Sequence, residues 1–350
     1  MKLIINLNRI SIKALILFIS TRAKIPLGII NSVVLFSLLL ACSSNDQNKQ
    51  ADAKKEQLII FHAGSLTVPF KEVATAFNKE YPNVEILMEA DGSRKCARKI
   101  TDLQKECDIM ASADYTVIDE LLIPDYTDWN IKFVSNEMSI VYHEASRYAN
   151  EITKDNWPEI LLKKDVAFGR SDPNSDPCGY RAVLTCKLAE DYYNIAGLSE
   201  SILSKDENYI RPKETDLLGL LESNAIDYIF LYRSVAKQHN LKYLILPDSI
   251  NLKNTNLTEY YHSASVEISG KKPGEIITKK GEPMIYGVTI LKNAQNKSAA
   301  TNFVKFLLEK EKGLAIMKEN GQPDVVPSHT ESYQNISTEL LKYATDTFHE

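Results

Sequence analysis

Between Leu58 and Ala111 the sequence turns three times from a short apolar run to a tight turn and then to a helical pattern. No other feature constrains the fold as much. LIIF (58–61) predicts a strand, HAGSLT a turn, and VPFKEVATAFNKEY a helix with Phe70, Val73, Phe77 and Tyr81 on one face. VEILM (84–88), EADGS and RKCARKITDLQ repeat the unit, and CDIMA (107–111) with SADY opens a third. Strands joined through helices lie parallel, with the helices packed on both faces of the sheet.

The pattern resumes at DVAFG (165–169), followed by SDPNSDP and a helix from Cys178 to about Tyr193. ETDLLGLLES predicts a helix, DYIFLY (227–232) a strand, RSVAKQH a helix and LKYLILP a strand. MIYGVTIL (284–291) is a returning strand, and residues 299–321 form a long helix pair. From Leu58 onward the chain is roughly 290 residues, the size at which one core gives way to two. The expectation is an α/β fold of two lobes with mostly parallel sheets and a cleft between them. Ligands of open α/β sheets sit beyond the carboxyl ends of the strands.

The first 42 residues differ from the rest. Lys2, Arg9, Lys13, Arg22 and Lys24 precede the apolar run LGIINSVVLFSLLLAC. Leu39-Leu40-Ala41-Cys42 resembles a bacterial lipoprotein signal, with Cys42 as the lipidated first residue; an uncleaved anchor helix is the alternative. Residues 43–57 are polar and aperiodic, as a tether should be. The expectation is an exported monomer, lipid-anchored on the periplasmic or extracellular face of a membrane. With a formal net charge of −5 and no basic cluster interleaved with aromatics, nucleic acid is excluded as a partner.

Cys96, Cys107, Cys178 and Cys186 remain in an oxidising compartment. Their spacing matches no zinc pattern. Cys178 and Cys186 lie about 12 Å apart along one helix, too far to bridge. A Cys96–Cys107 disulfide stays open.

Ser65 and Ser93 each follow a glycine in a strand-to-helix turn. A hydroxyl beside helix N–H groups makes an anion site; the same serines also serve as plain N-caps. Asp176 before Pro177 is a standard helix opening, and Glu214 is a first-turn acid. Tyr232 ends a strand. No histidine pair has metal spacing, and GxSxG, GxGxxG and P-loop patterns are absent. Catalysis therefore has no support.

HAGSL, GSR…ARKI, SADY, DPCGYR, KETDLLGLLES, DYIFLYRSVAKQHN and YGVTIL occur in an order that resembles the substrate-binding proteins of tungstate/molybdate ABC transporters, from the tether to the C-terminus. The resemblance implies a type II periplasmic-binding-protein fold with crossover strands near 133–143 and 283–288. Lobe one would be 58–137 plus 284–345, and lobe two 138–283. It implies an oxyanion held by Ser65, Ser93 and Tyr232, with Asp176 and Glu214 as carboxylate ligands to the tungsten or molybdenum. Arg94, where many relatives carry an apolar residue, would add a cation near the anion. The implied partners are tungstate or molybdate and a membrane permease, with no enzyme activity and no cofactor. A sulfate or phosphate receptor, an exported hydrolase using the same cleft, and a sensor domain are the competing readings.

Overall fold

The computed structural model describes residues 55–205 and 207–347. The expected signal segment, Cys42 and the tether up to residue 54 lie outside the described residues. The first strand, β1 (Glu56–Ala63), starts two residues before Leu58, because Glu56 and Gln57 already pair with Val84 and Glu85. Helix α1 (Thr67–Glu80) buries Phe70, Val73 and Phe77, and Tyr81 stacks on Phe77. Strand β2 (Val84–Asp91), helix α2 (Ser93–Thr101), strand β3 (Ile109–Ser112) and helix α3 (Tyr115–Leu121) follow in the expected alternation. Helix α2 ends short of Gln104, whose φ of 50° is not helical.

Strand β4 (Ile131–Ser135) leads through Asn136-Glu137 into β5 (Met138–Tyr142), which belongs to a different sheet. Helix α4 (Trp157–Leu162), β6 (Phe168–Ser171), α5 (Pro177–Tyr193), α6 (Leu198–Lys205) and β7 (Ile210–Arg211) come next. Strand β6 begins three residues later than the apolar run suggests. The Asp227 carboxylate accepts the Ala167 N–H at 2.8 Å and holds that residue out of the ladder. Helix α7 (Asp216–Glu222), β8 (Tyr228–Tyr232), α8 (Arg233–Gln238), β9 (Lys242–Ile245) and the short helices α9 (Asp248–Asn251) and α10 (Thr258–Tyr261) complete this stretch. An antiparallel hairpin, β10 (Ser265–Ser269) and β11 (Ile276–Lys280), stands outside both large sheets. Strand β12 (Ile285–Ile290) returns to the first sheet, followed by α11 (Lys297–Leu308) and α12 (Gly313–Glu319).

The two five-stranded sheets have matching orders, β2-β1-β3-β12-β4 and β7-β6-β8-β5-β9. In each, three strands run parallel and the fourth is antiparallel to both its neighbours. That fourth strand lies out of chain order: β12 comes back from the second lobe, and β5 precedes the rest of its own sheet. Two chain passages therefore join the lobes. Across the junction HAGSL meets the Glu214 turn that follows β7, and EADGSR meets SDPNSDP, Gly64 approaching Glu214 and Gly92 approaching Ser175.

Cys96 and Cys107 are separate free thiols in a small apolar cluster with Ile100 and Met110. Each sulfur bonds a backbone carbonyl instead, Cys96 that of His62 and Cys107 that of Ile109. The open disulfide is thereby excluded.

Candidate functional site

All five residues singled out in the sequence are buried at the lobe junction: Ser65, Asp176 and Glu214 are 1% exposed, Ser93 and Tyr232 0%. The lobes are thus in a closed arrangement, and glycine permits it. A Cβ on Gly64 would stand 2.8 Å from a Glu214 carboxylate oxygen, and one on Gly92 would stand 2.4 Å from the Ser175 carbonyl. The two glycines before the serines are the points where lobe two's acids press on lobe one.

Asp176 does cap α5, accepting the Cys178 N–H at 3.0 Å. Its second oxygen accepts the Glu214 N–H at 2.9 Å. Glu214 itself precedes α7 and is not in its first turn, so dipole compensation does not explain its burial. Neither Glu214 carboxylate oxygen has a hydrogen-bond partner among the described residues. Burial, and then the Asp176 carboxyl beside it, push the Glu214 carboxyl well above its ordinary value. Asp176 moves the same way, again chiefly through burial. Two buried acids in one place cannot both ionise without a compensating partner.

The serines are not caps. Ser93 Oγ accepts the Ala113 N–H at 2.9 Å, across to the end of β3. Ser65 Oγ lies 2.9 Å from the Tyr286 hydroxyl, which also accepts from Asn136 Nδ2 at 2.9 Å. Tyr286 in turn stands beside Tyr232, ring centroids 6.2 Å apart. Arg181 Nη1 donates both to the Tyr232 hydroxyl, at 3.0 Å, and to the Ala113 carbonyl, at 2.7 Å. The contacts therefore close into a ring: Ser65, Tyr286, Tyr232, Arg181, Ala113, Ser93, Gly92, Asp176, Glu214 and Gly64. Within it, Ser93 and Tyr232 each accept one hydrogen bond and have no acceptor for their own protons among the described residues.

Arg94 does not join this ring, contrary to expectation. Its buried guanidinium donates to the Ser269 carbonyl of β10 and lies 3.7 Å from Glu120. The helix geometry of α2, about 100° per residue, turns it away from Ser93 and toward the hairpin. His62 is neutral, lowered to about 4 mainly by burial, with Nδ1 2.8 Å from the Ala63 carbonyl. Sequence reasoning missed Tyr286, Asn136 and Arg181. YGVTIL and DPCGYR were in view, but nothing in either marks which side chain reaches the cleft.

Two facing α/β lobes with a polar site sealed between them are the architecture of a solute receptor. The chain belongs to the bacterial extracellular solute-binding proteins, whose family model matches residues 58–322. An uncharacterized solute-binding protein of Petrotoga mobilis is 50% identical over 288 residues, covering 82% of this chain and 89% of that one. The molybdate/tungstate-binding protein WtpA of Pyrococcus abyssi is 44% identical over 326 residues, covering 85% and 93%. Among solved structures, the periplasmic molybdate-binding protein of Azotobacter vinelandii superposes with a TM-score of 0.55 at 14% identity, covering 76% of this chain and 98% of that one. At that identity the likeness concerns the fold alone.

Proposed function

We propose that this protein captures tungstate or molybdate outside the cytoplasm and delivers it to an ABC transporter permease, tethered to the membrane as a monomer through a lipid on Cys42. The observation that carries the reading is a mismatch inside the ring. Among the described residues the hydroxyl protons of Ser93 and Tyr232 lack acceptors, while no donor meets the Glu214 oxygens in hydrogen-bond geometry. A sulfate-like anion would satisfy the hydroxyls and be repelled by the carboxylates. A simple cation would satisfy the carboxylates and be repelled by the Arg181 guanidinium and the hydroxyl dipoles.

Tungsten(VI) and molybdenum(VI) oxyanions answer both needs. Their oxygens accept from the hydroxyls, and their hard metal centre expands its coordination to take carboxylate oxygens, which sulfur(VI) in sulfate does not do. Asp176 and Glu214 would supply those oxygens, so repulsion of the wrong anion becomes the means of selection. The close identity to a protein named for molybdate and tungstate supports the same reading.

Calorimetry with tungstate, molybdate, sulfate and phosphate tests it. Tungstate and molybdate are expected to bind, with X-ray absorption reporting six oxygens around the metal and binding largely lost in Glu214→Gln. Sulfate binding as tightly as tungstate would overturn the assignment.

A further inference from the structure

Arg181 is a fully buried cation on α5, in lobe two, yet most of what its guanidinium touches lies in lobe one. Nη1 donates to the Ala113 carbonyl, and Nη2 lies 3.6 Å from the Asp114 carboxylate. Its contact within its own lobe at the site is the Tyr232 hydroxyl. Asp114 is held in turn by Tyr180, by Thr116 and by Lys279 at 3.7 Å from the hairpin.

By occupying an acceptor position of the Tyr232 oxygen, Arg181 fixes the direction left for the phenolic proton. A planar guanidinium achieves this only when its other N–H groups are also anchored. Those anchors, Ala113 and Asp114, belong to lobe one, so opening the cleft would carry them away from Arg181. Ala113 also donates its N–H to Ser93 Oγ, so one short segment of lobe one orients a donor on each side of the cleft.

We propose that Arg181 is the positioning residue that makes the Tyr232 hydroxyl a solute donor only in the closed molecule, tying recognition to closure. The inference rests on the oxyanion reading above. It goes further by assigning the coupling between lobes to a residue that does not touch the solute. Burial, outweighing the opposing effect of Arg181, raises the Tyr232 phenol well above its ordinary value, so it stays a donor at neutral pH.

Asp114 and Tyr232 have no contact with each other and communicate through Arg181. Tungstate affinities of the parent, Asp114→Asn, Tyr232→Phe and the double variant, measured by calorimetry, therefore form the test. Sites that act independently, without a shared partner, multiply their losses. The expected result is a double variant whose loss is at least about fivefold smaller than the product of the single losses, because each change removes the same coupling. Arg181→Met should weaken tungstate by about tenfold or more, the range for a hydrogen bond to a charged group. If that variant does not fold, the Asp114–Tyr232 cycle still decides. Multiplicative losses in the cycle overturn the inference alone. A parent that does not bind tungstate removes the oxyanion reading, and the inference with it.

Discussion

At the scale of single residues, the decisive object is the Glu214 carboxyl, buried beside Asp176 with no hydrogen-bond partner for either oxygen among the described residues. A Glu whose folded value is raised above the ordinary 4.5 favours folding fully only below that value. As pH rises past it, the unfolded chain ionises first, and stability drains until the buried carboxyl also loses its proton. The solute-free closed protein should therefore lose stability as pH rises from about 4.5. Glu214→Gln removes the charge and keeps the shape. Its melting temperature without solute is expected to exceed the parent's at pH 7.5, with the gain shrinking toward pH 4.5. An equal melting temperature across that range would mean that the carboxyl is solvated or paired. On the proposed reading the same variant would also give up tungstate, and Glu214 would then be a residue kept for binding at a cost in stability.

Elements decide which residues meet. Strand–helix alternation was legible because apolar runs and helical faces are local patterns, and the strand-to-helix turns HAGSL, EADGSR and SDPNSDP do come together in the fold. The roles of individual side chains were less legible. Ser65 and Ser93 read as caps because capping is local; their actual partners, Tyr286 and Ala113, lie 221 and 20 residues away. Strand β7 has two residues and no hydrophobic signature, and the β10–β11 hairpin is too polar to announce itself. That hairpin bridges the lobes. It bonds lobe two through Lys187 and Asn174, and lobe one through Arg98 and Lys279.

At Gly92 φ is −58°, which any residue adopts, so conformational freedom is not what the position needs. What it provides is room. Gly92→Ala would drive a Cβ to 2.4 Å from the Ser175 carbonyl of the other lobe. Such overpacking costs about 1–3 kcal/mol, roughly five- to 150-fold in affinity. Opening the cleft relieves the clash, so tungstate affinity should fall by that factor while the melting temperature without solute stays near the parent's. A matching drop in both would place the strain inside lobe one instead.

For the whole molecule, two sheets of matching topology exchange an out-of-order strand through two passages, one at Asn136-Glu137 and one just before β12. So few connections leave closure to the contacts across the cleft. Asn136 sits at the first passage and donates both to Ser234 in lobe two and to Tyr286 in lobe one, so the hinge itself is hydrogen-bonded to the site. Hinge closure around a ligand is the motion such an architecture permits. A solute that binds only the folded, closed form stabilises it by mass action, about 4 kcal/mol at a thousand times its Kd. For a fold of this size that corresponds to a rise of roughly 6–7 °C in melting temperature. Tungstate at that excess is expected to produce the shift, and sulfate at the same concentration to leave the transition in place. Sulfate reaches the same hydroxyls but meets Asp176 and Glu214 with no metal centre to offer them. An equal shift with both ions would show that the carboxylates do not choose, and would return Asp176 to a helix cap and Glu214 to a buried acid with no assigned task.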